Sequence, residues 1–88
     1  MSARKYKDGD FVMTISLNYL MMVVDAERLL KGWKYELRFP RKDMIRIDKR
    51  QTSRWFFEDQ IRPCVNKHIL KTKEISLQKF NESLNSQR

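Results

Sequence analysis

Between Trp33 and Phe39 the chain alternates strictly: Trp33, Tyr35, Leu37 and Phe39 are large and apolar, while Lys34, Glu36 and Arg38 between them are charged. A period of two places successive side chains on opposite faces of an extended segment, which predicts a β-strand with one face in a core and a mostly basic face in water. Pro40, which cannot donate to a sheet ladder, ends it. A chain of 88 residues has room for one domain around such a strand. At this size roughly 60% of the unfolded chain's surface is buried, so stability is modest and a dimer partner would add to it. Hydrophobic residues at 41% and aromatics at 11% suffice for a core.

The flanking segments carry weaker patterns. Residues 1–10, with Arg4, Lys5 and Lys7 around Tyr6, predict a basic N-terminal arm of disordered character. Asp8, Gly9 and Asp10 read as a turn. Phe11 to Ile15 is a short strand candidate. Ser16 is a candidate cap for a buried helix through Leu17, Leu20, Met21 and Val24, although Val23 and Val24 also suit a strand. Asp25 to Lys31 predicts a second short helix stopped by Gly32. Met44 to Ile47 and Arg54 to Phe57 predict the two strands of a hairpin joined by the polar connector Lys49 to Ser53. A helix is expected to begin near Asp59 or Gln60, with Pro63 in its first turn and Ile61, Cys64, Val65, His68 and Ile69 as its apolar stripe. After a connector at Lys71 to Glu74, Leu77, Phe80 and Leu84 mark a tail helix, and residues 85–88 are a polar tail.

Charge narrows the function. Nineteen Lys and Arg against eleven Asp and Glu leave a net +8, a strong positive field for so small a surface. The excess is concentrated: Lys34, Arg38, Arg41, Lys42, Arg46, Lys49, Arg50 and Arg54 face only Glu36, Asp43 and Asp48 in the same stretch. Displayed from a stiff hairpin, these cations match a phosphate backbone. Gln51, Thr52 and Ser53 between them add small hydrogen-bonding groups able to reach phosphates or base edges. Basic strand faces also guard sheet edges against aggregation, so the same residues fit an ordinary solvated surface.

Other chemistries lack their constellations. Cys64 and His68 are the only cysteine and histidine, and a helix would bring them to one face, yet they also complete an apolar stripe and read better as packing. A structural zinc needs about four ligands, and phosphate cradles need several glycines where this chain has Gly9 and Gly32. The acidic pairs Asp8/Asp10 and Glu58/Asp59 sit where a turn or helix start already favours acid. Neither catalysis, a metal nor a cofactor is expected. The longest apolar run, Tyr19 to Val24, is far short of a membrane-spanning helix. The basic start runs into Asp8, so no secretory leader is expected, and a lone cysteine agrees with a cytoplasmic setting.

The run Arg54-Trp55-Phe56-Phe57-Glu58-Asp59-Gln60-Ile61, continuing to Val65 and Ile69, resembles the end of small winged-helix domains of the excisionase and MerR-like kind. The resemblance covers about a third of the chain. It implies that Lys49 to Ser53 form a wing tip, that Arg54 is the wing arginine, and that an aromatic strand returns into an acidic-started helix. It also implies an accessory or regulatory role in phage or plasmid excision, conjugative transfer or repression. Upstream, no segment makes a convincing recognition helix, which shifts the expected contact onto the strands and wing.

The expected molecule is therefore an α+β, winged-helix-like domain over residues 11–84. It would bind double-stranded DNA sequence-specifically through a basic β-hairpin wing, as a homodimer in the cytoplasm, associated with nucleoid or plasmid. A ribbon-helix-helix fold is the alternative architecture, suggested by the strand at Phe11 leading into an apolar helix. A protein-interaction module, such as a phage-encoded inhibitor of a host protein, is the alternative function.

Overall fold

In the computed structural model, residues 3–50 and 52–86 are described. Five antiparallel strands are followed by one helix: β1 Phe11–Thr14, β2 Leu20–Leu29, β3 Gly32–Arg38, β4 Arg54–Phe57, β5 Ile61–Pro63 and α1 Lys67–Ser86. The sheet order is β4-β3-β2-β1-β5. The α+β class holds, while a single helix among the described residues fits poorly with a winged helix. The segment that a ribbon-helix-helix fold needs as a helix, after β1, is strand as well.

Chain connectivity forces the sheet to curl. β4 and β5 lie at opposite edges, four strand spacings or about 19 Å apart in a flat sheet. Between them runs only the 3-10 turn Glu58–Gln60, which spans roughly 6 Å. The strands therefore wrap into a half-open barrel. A bulge at Val24, where the β2–β3 register shifts between Val23 and Asp25, bends β2 so that Leu20 to Met22 pair with β1 and Met22 to Leu29 with β3.

The inner face holds Tyr6, Val12, Met21, Val23, Tyr35, Leu37 and Ile61. The alternation in β3 is realised as expected, with Tyr35 and Leu37 wholly buried and Trp33 and Phe39 packed against them. A second cluster lies on the outer face, where Phe11, Met22 and Cys64 are covered by Ile69 of α1 and by Met44 and Ile47. This two-sided burial explains why Leu20 to Val24 mimics part of a helix. Met21 and Val23 point into the barrel and Met22 points under α1, so a strand buried on both faces reads as a continuous apolar run.

Asp25 to Lys31 is also not a helix. It completes β2 and the two-residue turn at Leu30 and Lys31, with Gly32 at φ 121° opening β3. Met44 to Ile47 forms no strand beyond the Pro40–Ile47 bridge, and Arg54 to Phe57 pairs with β3 instead. Ile61 to Pro63, expected as helix, pairs with β1, and Pro63 is tolerated because β5 is an edge strand. The helix begins six residues later than Ile61. There Asn66 Oδ1 accepts from the His68 and Ile69 N–H groups, a capping role that the sequence pattern did not single out. The helix then runs unbroken through Lys71 to Glu74. No helix among the described residues is long and apolar enough to cross a membrane.

The segment expected as a basic arm is packed against the barrel over its described part. Tyr6 is buried with its ring edge-on to Tyr35, centroids 5.3 Å apart. The Tyr35 hydroxyl accepts from the Lys5 and Tyr6 N–H groups and donates to Glu58 Oε2 at 2.6 Å. Burial, reinforced by the bond to Glu58, pushes the Tyr35 hydroxyl above the ordinary tyrosine pKa. One oxygen thus ties the N-terminal segment, β3 and the edge-closing turn. Tyr35→Phe keeps the ring and strands two N–H groups and a carboxylate, so a loss of about 2 kcal/mol is expected in urea unfolding at unchanged m-value. A loss below about 0.5 kcal/mol would show that the hydroxyl does not hold the closure.

Candidate nucleic-acid interface

The basic residues of the central stretch divide among three places. Lys34 and Arg38 project from β3 on the outer face. Lys34 pairs with Glu27 at 3.4 Å and lies 5.0 Å from the centre of the Trp55 ring. Arg54 lies at the mouth of the barrel on the opposite face, beside Phe56 and Tyr19. The remainder sit on the loop between β3 and β4.

That loop is not the expected hairpin tip, but its first ten residues are strapped into a defined excursion. Asp48 N–H donates to Phe39 O at 2.8 Å, Pro40 bridges Ile47, and Arg41 N–H donates to Arg46 O at 2.7 Å. The turn at its end is set by Asp43, whose carboxylate accepts from the Ile45 and Arg46 N–H groups, with Met44 in the left-handed region at φ 62°. Met44 and Ile47 anchor the excursion on the Phe11–Met22–Cys64 cluster. The anchored backbone brings Arg41, Lys42, Arg46 and Arg50 around one shallow depression of about 510 Å³. Lys49 is exposed alongside, Thr52 is exposed and Ser53 half-buried near the loop's return, and Gln51 lies outside the described residues.

Two of these cations are paired with neighbouring acids. Arg46 Nε donates to Asp43 Oδ2 at 2.6 Å and Arg50 Nε to Asp48 Oδ1 at 3.2 Å. Exposed pairs of this kind contribute about 0–1 kcal/mol, so they orient the guanidinium groups without binding them tightly. Burial alone would raise the Asp43 pKa, but the Arg46 side chain and the two backbone donors outweigh it and the carboxyl lies below its ordinary value. Asp48 is lowered by the Arg50 side chain and then by the Arg50 N–H.

Elsewhere, Cys64 is buried ahead of α1 and His68 is exposed in its first turn, so the two do not share a helix face. No group of three or more potential metal-ligating side chains occurs among the described residues. The residues that sequence reasoning passed over are Leu17, Tyr19 and Phe39, which line the barrel mouth with Arg54. Residues 15–19 form a turn between β1 and β2 with Asn18 in the left-handed region, a conformation that the apolar pattern of Leu17 and Tyr19 did not signal. Searches of protein-family models and of curated proteins find no match to this chain.

Asp43 supplies a pH test of the excursion. Because its folded pKa is depressed, its contribution is complete above the unfolded value and is lost as pH falls through the folded one. The Ile45 and Arg46 amide resonances should therefore shift with a midpoint below 3.8, the ordinary aspartate value. A midpoint at or above it would mean that the Asp43 contacts do not organise the turn.

Proposed function

We propose that this chain binds double-stranded DNA through the excursion between β3 and β4, as an accessory or regulatory protein without catalysis of its own. The observation that carries the reading is the convergence of Arg41, Lys42, Arg46 and Arg50 on one depression, on a backbone held by its own hydrogen bonds. Guanidinium groups bind phosphate oxygens in pairs, and a charge-assisted bond to phosphate is stronger than the exposed contacts to Asp43 and Asp48 that it would replace. The net +8 of the chain attracts a polyanion whatever its base sequence, and the loop carries Arg41, Lys42, Arg46, Lys49 and Arg50 against Asp43 and Asp48. The reading does not depend on a winged helix: the wing tip and wing arginine of the resemblance are replaced by an anchored loop with Arg54 set apart from it.

A second reading, a protein-interaction module, is favoured by one observation. On α1, Leu70, Leu77, Phe80 and Leu84 are exposed at intervals of seven, three and four residues, the spacing of a helix-pairing seam. The same stripe would serve the expected homodimer.

Salt dependence separates the readings. Binding to a blunt DNA duplex, followed by fluorescence anisotropy, should weaken with a log–log salt slope of roughly −3 to −4.5, about 0.9 for each phosphate neutralised by the loop cations. Arg41→Ala with Lys42→Ala should flatten that slope by about 2 while leaving the thermal melt unchanged. Undetectable binding at low salt, or an unchanged slope in the double variant, would reject the loop as a DNA-binding surface.

A further inference from the structure

We propose that the open mouth of the barrel receives one unpaired nucleotide of the bound DNA, its base against Tyr19, Phe39 and Phe56 and its phosphate on Arg54. The proposal rests on the reading of the neighbouring loop as a DNA-binding surface. The mouth is a concavity of about 510 Å³, and Leu17, Tyr19, Met21, Phe39, Arg54 and Phe56 make up most of its wall. That volume and an apolar wall with one charged group are typical of a small-ligand pocket, and barrel mouths are a favoured place for one. Arg54 is the only charged residue of the lining and makes no ion pair among the described residues.

The wall is built before any ligand arrives. Tyr19 N–H donates to Thr14 Oγ1 at 2.9 Å, and Thr14 N–H donates to Tyr19 O at 3.0 Å. Asn18 takes the left-handed conformation at φ 57°, and its side-chain oxygen accepts from Arg62 at 2.7 Å. The turn so fixed presents Tyr19, 48% exposed, edge-on to Phe39 with ring centroids 5.8 Å apart. Leu17 and Ile15 are also exposed on this turn, an apolar surface that the fold itself does not bury.

Position and charge select the occupant. Phe39 and Thr52 stand near the two ends of the basic loop and both line the mouth, so the mouth adjoins the root of the loop. The other exposed aromatic pair, Trp55 and Phe57, lacks this complementarity. It shares the outer face with Asp25, Glu27 and Glu36, which repel phosphate and outnumber Lys34 and Arg38 there, and Lys34 is already paired with Glu27. Aromatic rings stack on any base, so the mouth would prefer unpaired nucleotides without reading their identity.

The test compares a blunt DNA duplex with the same duplex carrying a short single-stranded thymidine overhang, both followed by fluorescence anisotropy at one salt concentration. The overhang should bind roughly ten-fold more tightly. Tyr19→Ala should abolish that preference while preserving blunt-duplex affinity and its salt slope, Tyr19→Trp should retain it, and Arg54→Gln should reduce it, each with an unchanged circular dichroism melt. A blunt duplex bound with no gain from the overhang would overturn the mouth proposal and leave the loop reading standing. Binding of neither DNA would overturn both. Equal losses for the two DNAs in Tyr19→Ala, or loss of the preference in Tyr19→Trp, would also overturn the nucleotide site.

Discussion

The connectivity that curls this sheet is locked by the hydroxyl of Tyr35. A five-stranded meander of this order leaves β4 and β5 at opposite edges, and the three residues Glu58–Gln60 join them only if the sheet curls. Apolar burial supplies the drive to curl, through Val12, Val23, Leu37 and Ile61, but burial is indifferent to which backbone groups meet. Tyr35 provides the direction. Its ring is wholly buried and its hydroxyl receives two N–H groups of the N-terminal segment and donates to Glu58. In a buried setting the alternative to these bonds is three unsatisfied polar groups, so the closed arrangement is strongly specified.

Closure determines what the free end of the barrel can offer. The loop leaving β3 at Phe39 and returning to β4 at Arg54 folds its first half back on itself and onto the outer face of the sheet, where Met44 and Ile47 meet Phe11, Met22 and Cys64. Charge and apolar surface become segregated there. Arg41, Lys42, Arg46 and Arg50 gather on the excursion, whereas the mouth keeps aromatic rings and the single cation Arg54. The outer face follows another logic: Lys34 is matched by Glu27, and Asp25 and Glu36 lie close by, so that surface is far less attractive to a polyanion.

The amino-acid sequence made β3 legible because only one of its faces is buried, and the period-two pattern survives intact from Trp33 to Phe39. β1 was legible as a short apolar, partly β-branched run although both its faces are buried, and the strand at Arg54 to Phe57 as an aromatic run after a polar connector, although the partner of the latter was not. β2 was obscured by its success as a central strand, since Met21, Met22 and Val23 are buried on alternating faces and erase the alternation. β5 was hidden by Pro63, which argues against strand except at an edge, and edge position is a property of the sheet. The cationic residues were visible as a charge cluster. Their division among two faces and a loop was not, because it depends on β4 pairing with β3 in place of residues 44–47. Tyr19 and Phe39 were read as interior residues, and only the curl of the sheet reveals them at its rim.

The most direct test of this account is a titration of isotopically labelled protein with a DNA duplex bearing an unpaired nucleotide, followed by amide chemical shifts. The account predicts that the largest changes fall on Arg41 to Arg50 and on Tyr19, Phe39 and Phe56. Largest changes at Trp55 and Phe57, or along Leu77, Phe80 and Leu84 of α1, would contradict it.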